Sequence, residues 1–111
     1  MQVTVSDDAG PNARVTLAGK LDIAGAEAIA LPLATLSGAK KGVVIDMSGV
    51  TFIASIGIRH ILLATKTMSR RGGRLVLLNP TDMVKDVLET AGVADLIPMV
   101  TSESEALAML G

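Results

Sequence analysis

Few side chains in this chain could carry chemistry. His60 is the only imidazole; Arg59 stands beside it and no Asp or Glu is near in sequence, so it reads as a surface or partly packed histidine. One imidazole cannot build a metal site alone, and the acidic residues show no ligand spacing. The absence of cysteine excludes disulfides, thiolate nucleophiles and thiolate metal sites. The glycines form neither a dinucleotide fingerprint nor a phosphate loop, and "RRGGR" reads as a helix end followed by a strand. No catalytic residue, metal or cofactor is assigned, and the chain is read as a non-enzyme.

Three hydroxyl or carboxylate positions remain. Asp22 precedes an alanine-rich run and suits a helix cap. Asp46 and Ser48, in "DMSGV", suit a turn in which both bond the backbone. Ser55 lies between Ala54 and Ile56 in "VVIDMSGVTFIASIGIRHILLATK", at the N-cap or first turn of a helix. Unpaired N–H groups and the positive end of the helix dipole favour an oxyanion or phosphate there. A plain cap and a phosphorylation switch both fit.

The elements that must position these residues follow from pattern. "QVTVS" and "ARVTLAG" alternate apolar and polar residues on either side of "DDAGPN", as a β-hairpin does. "GVVID" and "RLVLLN" are continuous apolar runs, expected of parallel strands covered on both faces. A first helix should run from Asp22 to about Ser37, closed by Gly38, with a kink or break where Pro32 removes a donor. A second carries Ile58, Ile61, Leu62, Thr65 and Met68 at helical spacing and ends at "RRGG". A third spans about Thr81 to Ala91, with Val84, Val87, Leu88 and Ala91 on its buried face. A short strand near Ile97 to Val100 precedes a last helix opened by a Ser102–Glu105 capping box.

The fold class is therefore α/β in a single domain, residues 1–111: an N-terminal hairpin plus parallel strands in a mixed sheet of about 4–5 strands, packed with about 4 helices. At 111 residues one core is sufficient. Phe52 is the only aromatic, so the core must be aliphatic. Ten basic and eleven acidic residues leave no electrostatic footprint for nucleic acid or anionic lipid, and no Tyr or Trp offers a stacking platform. The N-terminus lacks a signal-peptide pattern, and the longest weakly charged segment, Ile23 to Ala39, is too short and polar to span a bilayer. A cytoplasmic location without membrane insertion is expected.

The block "VVIDMSGVTFIASIGIRHIL" resembles the STAS domain, named for sulphate transporters and anti-sigma factor antagonists, and in particular the stand-alone bacterial anti-anti-sigma factors. Asp46, Ser48, Phe52, Ser55, Gly57 and Ile58 fall on that family's pattern. "LAGKLDIAGA", "RRGGRLVLLNPTDMVKDVLETAGV" and "SESEAL" extend the similarity over nearly the whole chain. The resemblance implies a partner-switching antagonist. The unphosphorylated form binds an anti-sigma factor that is also an ATP-binding serine protein kinase; phosphorylation at Ser55 reverses binding, and a PP2C-type phosphatase restores it. It implies partner-binding roles for Asp22, Ile53, Ala54, Ser55, Ile56, Gly57 and Arg59, and motif roles for Asp46, Ser48, Phe52 and Gly57.

Two positions depart from the pattern: Ala54 stands where the family has aspartate, and Ile56 where it has a small hydroxyl residue. These remove groups that would orient Ser55 or aid its recognition. A constitutive scaffold, as in a stressosome-like assembly or a lipid ABC transporter, is the competing reading, and a small nucleotide-binding module a third. Oligomeric state is left between monomer and weak dimer.

Overall fold

The structure is a computed structural model and describes residues 1–7 and 10–110. The middle of the expected hairpin turn, Asp8 and Ala9, lies outside the described residues. In chain order the elements are β1 (Gln2–Ser6), β2 (Asn12–Leu21), α1 (Ile23–Ala39), β3 (Gly42–Ile53), α2 (Ser55–Arg70), β4 (Arg74–Leu78), α3 (Asp82–Thr90), a 3-10 turn (Val93–Asp95), β5 (Met99–Val100) and α4 (Glu103–Leu110). The strands form one sheet in sequence order, antiparallel between β1 and β2 and parallel elsewhere. This is the mixed sheet expected from an alternating hairpin followed by continuous apolar runs.

The sheet's two faces have separate cores. Val43, Ile45 and Met47 of β3 join Ile29 and Leu33 of α1, Ile61 and Met68 of α2, and Val84 and Leu88 of α3. Val44, Val76, Leu78 and Val100 meet Ala106 of α4 on the other face. Period-two alternation along β3 sends neighbouring residues to opposite cores, so a central strand with no polar stripe satisfies both.

Four expectations about boundaries change. β3 does not end at Asp46. It runs on to Ile53 through two bulges, because Asp46 pairs with Thr16 and Gly49 with Ala18, and then Val50 with Gly19 and Phe52 with Lys20, leaving two extra residues in β3. α1 runs unbroken across Pro32; its packing against α2 and the sheet outweighs one missing donor. Gly38 lies inside α1 rather than ending it, because Arg71 donates from Nη1 to the Ser37 and Lys40 carbonyls at 2.7 and 2.9 Å and satisfies the helix end from outside. On the nine-residue α3 only Val84 and Leu88 are buried, and Val87 and Ala91 face solvent; so short a helix docks through a single i, i+4 ridge.

The last helix follows its pattern: the Glu105 N–H donates to the Ser102 hydroxyl at 3.2 Å. Lys40, Lys41, Arg70, Arg71 and Arg74 gather where α1 and α2 end. Cations there complement the negative ends of helix dipoles. The opposite pole, where the same two helices begin, is left to the residues around Ser55.

Candidate docking surface at the start of the second helix

β2 and β3 finish side by side, with Leu21 opposite Ile53 and the Ala54 N–H donating to the Leu21 carbonyl at 2.9 Å. Each strand turns directly into a helix, so α1 and α2 begin at the same pole of the sheet. Two glycines allow this close approach. A Cβ at Gly25 would lie 2.3 Å from the Lys20 carbonyl oxygen, and one at Gly57 would lie 2.6 Å from Leu21 Cγ.

The two helix starts are finished differently. At α1, Asp22 is the N-cap and its Oδ1 accepts the Gly25 N–H at 2.9 Å, as expected. At α2 the N-cap is Ala54, no side chain caps the first turn, and Ser55 is the first helical residue. The plain-cap reading of Ser55 therefore gives way: its hydroxyl is exposed and makes no capping bond. An uncapped first turn costs stability that a carboxylate at position 54 would recover. Ala54→Asp is expected to stabilise the fold by about 1 kcal/mol in denaturant titration; no gain would mean that the bond from the Gly57 N–H to the Ala54 carbonyl at 3.0 Å already suffices for the first turn.

The residues proposed for partner contact separate by exposure. Ser55 and Arg59 are exposed, and Asp22, Ala54 and Ile56 are half-buried. Ile53 and Gly57 carry the expected partner-binding roles but are buried, so neither offers side-chain surface to a partner. Ile53 points into the core, and Gly57 serves by admitting Leu21. The apolar surface at this pole comes instead from Phe52 and Ile23, which are 45% and 71% exposed. Beyond Ser55 a shallow groove of about 270 Å³ runs along α2, lined by Ser55, Ile58, Arg59, Leu62, Leu63 and Lys66. Arg59 lies four residues after Ser55, on the same helix face, and makes no ion pair among the described residues. Leu63 and Lys66 were not singled out by the sequence reading; their helical spacing from Ser55 and Arg59 was the available signal.

Asp46 and Ser48 do not belong to this surface. The Asp46 Oδ1 accepts the Ser48 N–H at 3.0 Å and the Ser48 hydroxyl at 2.7 Å, the local bonding expected of the pair, but across a bulge within β3. The Asp46 Oδ2 accepts from Arg14 Nη2 at 2.8 Å, and Arg14 also pairs with Glu103 at the start of α4. This cluster ties β2, β3 and α4 together on the sheet face opposite α1 and α2. Arg14 escaped the sequence reading because its partners are 32 and 89 residues away.

Burial alone would push the Asp46 carboxyl up. The Ser48 N–H and hydroxyl and the Arg14 guanidinium outweigh it and hold the group below the usual carboxylate range. A lowered folded-state value adds stability that is present above the unfolded value and is lost as pH falls through the folded one. Asp46→Asn is expected to cost roughly 1–2 kcal/mol at neutral pH, a difference from the parent that shrinks below about pH 4. Urea titrations at several pH values check this; a gap independent of pH would remove Asp46 from the account.

Among the described residues no group of three His, Cys, Asp or Glu could hold a metal ion, and no helix is long and apolar enough to cross a membrane. His60 is half-buried and lines a depression between α1 and α2 with Leu33, Leu63 and Ala64, consistent with a packed histidine.

Fold and surface together define a class: a small single-domain α/β protein that offers an uncapped helix start and an adjoining apolar groove to solvent. The chain belongs to the STAS domain family, whose model matches residues 1–106. It is 31% identical over 93 residues to the "putative anti-sigma factor antagonist BtrV" of Bordetella bronchiseptica; the match covers 83% of this chain and 80% of BtrV. The unphosphorylated anti-sigma factor antagonist SpoIIAA superposes with a TM-score of 0.82 at 24% identity, covering 96% of this chain and 93% of SpoIIAA. The phosphorylated form of SpoIIAA, described as a Bacillus cell fate determinant, gives 0.76 at 23% identity, covering 97% and 98%.

Proposed function

We propose that this protein is an anti-sigma factor antagonist of a partner-switching pathway, with Ser55 as its phosphoacceptor. The observation that carries the proposal is the state of Ser55: exposed, first in α2, and free of a capping role. In the unmodified form the surface of Phe52, Ile23, Ile56 and the α2 groove docks an anti-sigma factor that is an ATP-binding serine kinase, and the sigma factor is released. A phosphate on Ser55 brings about −1.5 to −2 charges onto that surface. The uncapped first turn and Arg59 would hold it on the free protein, while an apolar partner face would reject it. A PP2C-type phosphatase would restore the docking form, and the cycle would operate in the cytoplasm.

The description of BtrV supports the antagonist part of this reading. Ala54 favours the competing one, a constitutive scaffold, because a kinase would find no carboxylate beside its target. Intact-mass analysis of the protein from its own cells, followed by peptide mass analysis after digestion, separates the two. One phosphate on the peptide holding Ser55, removed by a PP2C-type phosphatase, is expected. Its absence across growth and stress conditions would favour the scaffold.

A further inference from the structure

We propose that β1 is a self-association edge: two copies pair through β1, antiparallel, about a two-fold axis at Thr4, making a weak dimer. The sheet has two edges and they differ. β5 is two residues long and follows Pro98, a short and proline-flanked edge of the kind that resists pairing. β1 is five residues long, lies outermost in the sheet, and bonds only to β2. Its outer backbone donors and acceptors form an open template, and Gln2–Ser6 contains no charge, no proline and no glycine to blunt it.

The sequence of the edge selects a second copy as the occupant. With the axis at Thr4, antiparallel pairing sets Gln2 opposite Ser6, Val3 opposite Val5 and Thr4 opposite Thr4. Apolar residues meet apolar ones on one face and neutral polar residues meet on the other, with no like charges opposed. Val3 packs against the core beneath α1, while Val5 is 43% exposed. Pairing would cover Val5 with the partner's Val3 and continue the same core outward. An isologous contact of this kind closes after two copies. A single pair of five-residue strands buries far less than the roughly 1,200 Å² of a stable interface, so the dimer is weak and concentration-dependent. An axis normal to the sheet reverses strand direction between copies, which leaves the two Ser55 surfaces at opposite ends and uncovered.

The absence of cysteine makes the register testable with single thiols in the full chain. Under mild oxidation Thr4→Cys is expected to form a disulfide-linked dimer about tenfold faster than Gln2→Cys, because only the former is held opposite itself. An equal mixture of Gln2→Cys and Ser6→Cys should link at about half the rate of Thr4→Cys at the same total concentration, because only the mixed half of its dimers opposes two thiols. Adding Val5→Lys, which removes two buried valine contacts per dimer, should slow the Thr4→Cys reaction about tenfold. Circular dichroism establishes that each variant is folded. Equal rates for Thr4→Cys and Gln2→Cys, no effect of Val5→Lys, or a light-scattering mass that stays monomeric to millimolar concentration would each overturn the proposal.

Discussion

Ser55→Asp is expected to bind the anti-sigma partner on the order of 100-fold more weakly than Ser55→Ala or the unmodified protein, a difference of about 2.7 kcal/mol. The loss follows from placing one charge where docking would strip its water against apolar surface, a penalty of several kcal/mol that the partner leaves uncompensated. Full phosphorylation, with its larger charge, should weaken binding further. Stability should move the other way. An acidic residue in the first turn of α2 meets the positive end of the helix dipole, worth about 0.3–1 kcal/mol, so Ser55→Asp should melt at or slightly above the parent temperature. Ser55→Ala should leave stability within about 0.5 kcal/mol, because the hydroxyl makes no capping bond. Calorimetric binding and thermal melts on the same preparations separate a switch from a misfolded variant. Equal affinity for Ser55→Asp and Ser55→Ala would end the switch reading.

What the sequence conveyed about this surface depended on the range of the forces involved. α2 was legible because amphipathic spacing from Ile58 to Met68 is a local pattern, and its end because arginine and glycine are local stop signals. Its start was legible to within the first turn. Which residue caps it was not, since Ala54 and Ser55 differ only in how the chain leaves β3. The continuation of β3 through Ser48 was hidden because Asp46 and Ser48 carry the same signature in a turn and in a bulge. Pairing with β2, set by residues some 30 positions earlier, decided between them. The end of α1 was misread for a related reason. Gly38 is a local stop signal, but Arg71 from the next helix supplies the cap. Ile53 looked like a flank of Ser55 in one dimension, and the alternation of a long strand turned it inward.

Gly25→Ala is expected to be the most damaging single methyl in the protein, and to do more harm than Gly57→Ala. Both glycines let a helix start lie against the end of β2, so both set the position of the Ser55 surface. At Gly25 the new methyl would stand 2.3 Å from the Lys20 carbonyl oxygen, a backbone atom held in the sheet, and neither side can retreat without moving α1. A cost of at least about 3 kcal/mol follows, at the upper end for overpacking. Each kcal/mol is worth roughly 4–8 °C in a domain near this size. At Gly57 the contacts are Leu21 Cγ at 2.6 Å and Cδ2 at 2.9 Å, a side chain that is fully buried yet able to shift, so about 1–3 kcal/mol is expected. The two mechanisms separate in a Leu21→Ala background. Shortening Leu21 is costly by itself, but it vacates the space a methyl at position 57 needs, so Gly57→Ala should add little there, a clear departure from additivity. The Lys20 carbonyl is untouched by that change, so Gly25→Ala should remain as harmful as before. Denaturant melts of the two cycles decide the matter: additive losses at Gly57 would mean that Leu21 does not limit how closely α2 docks.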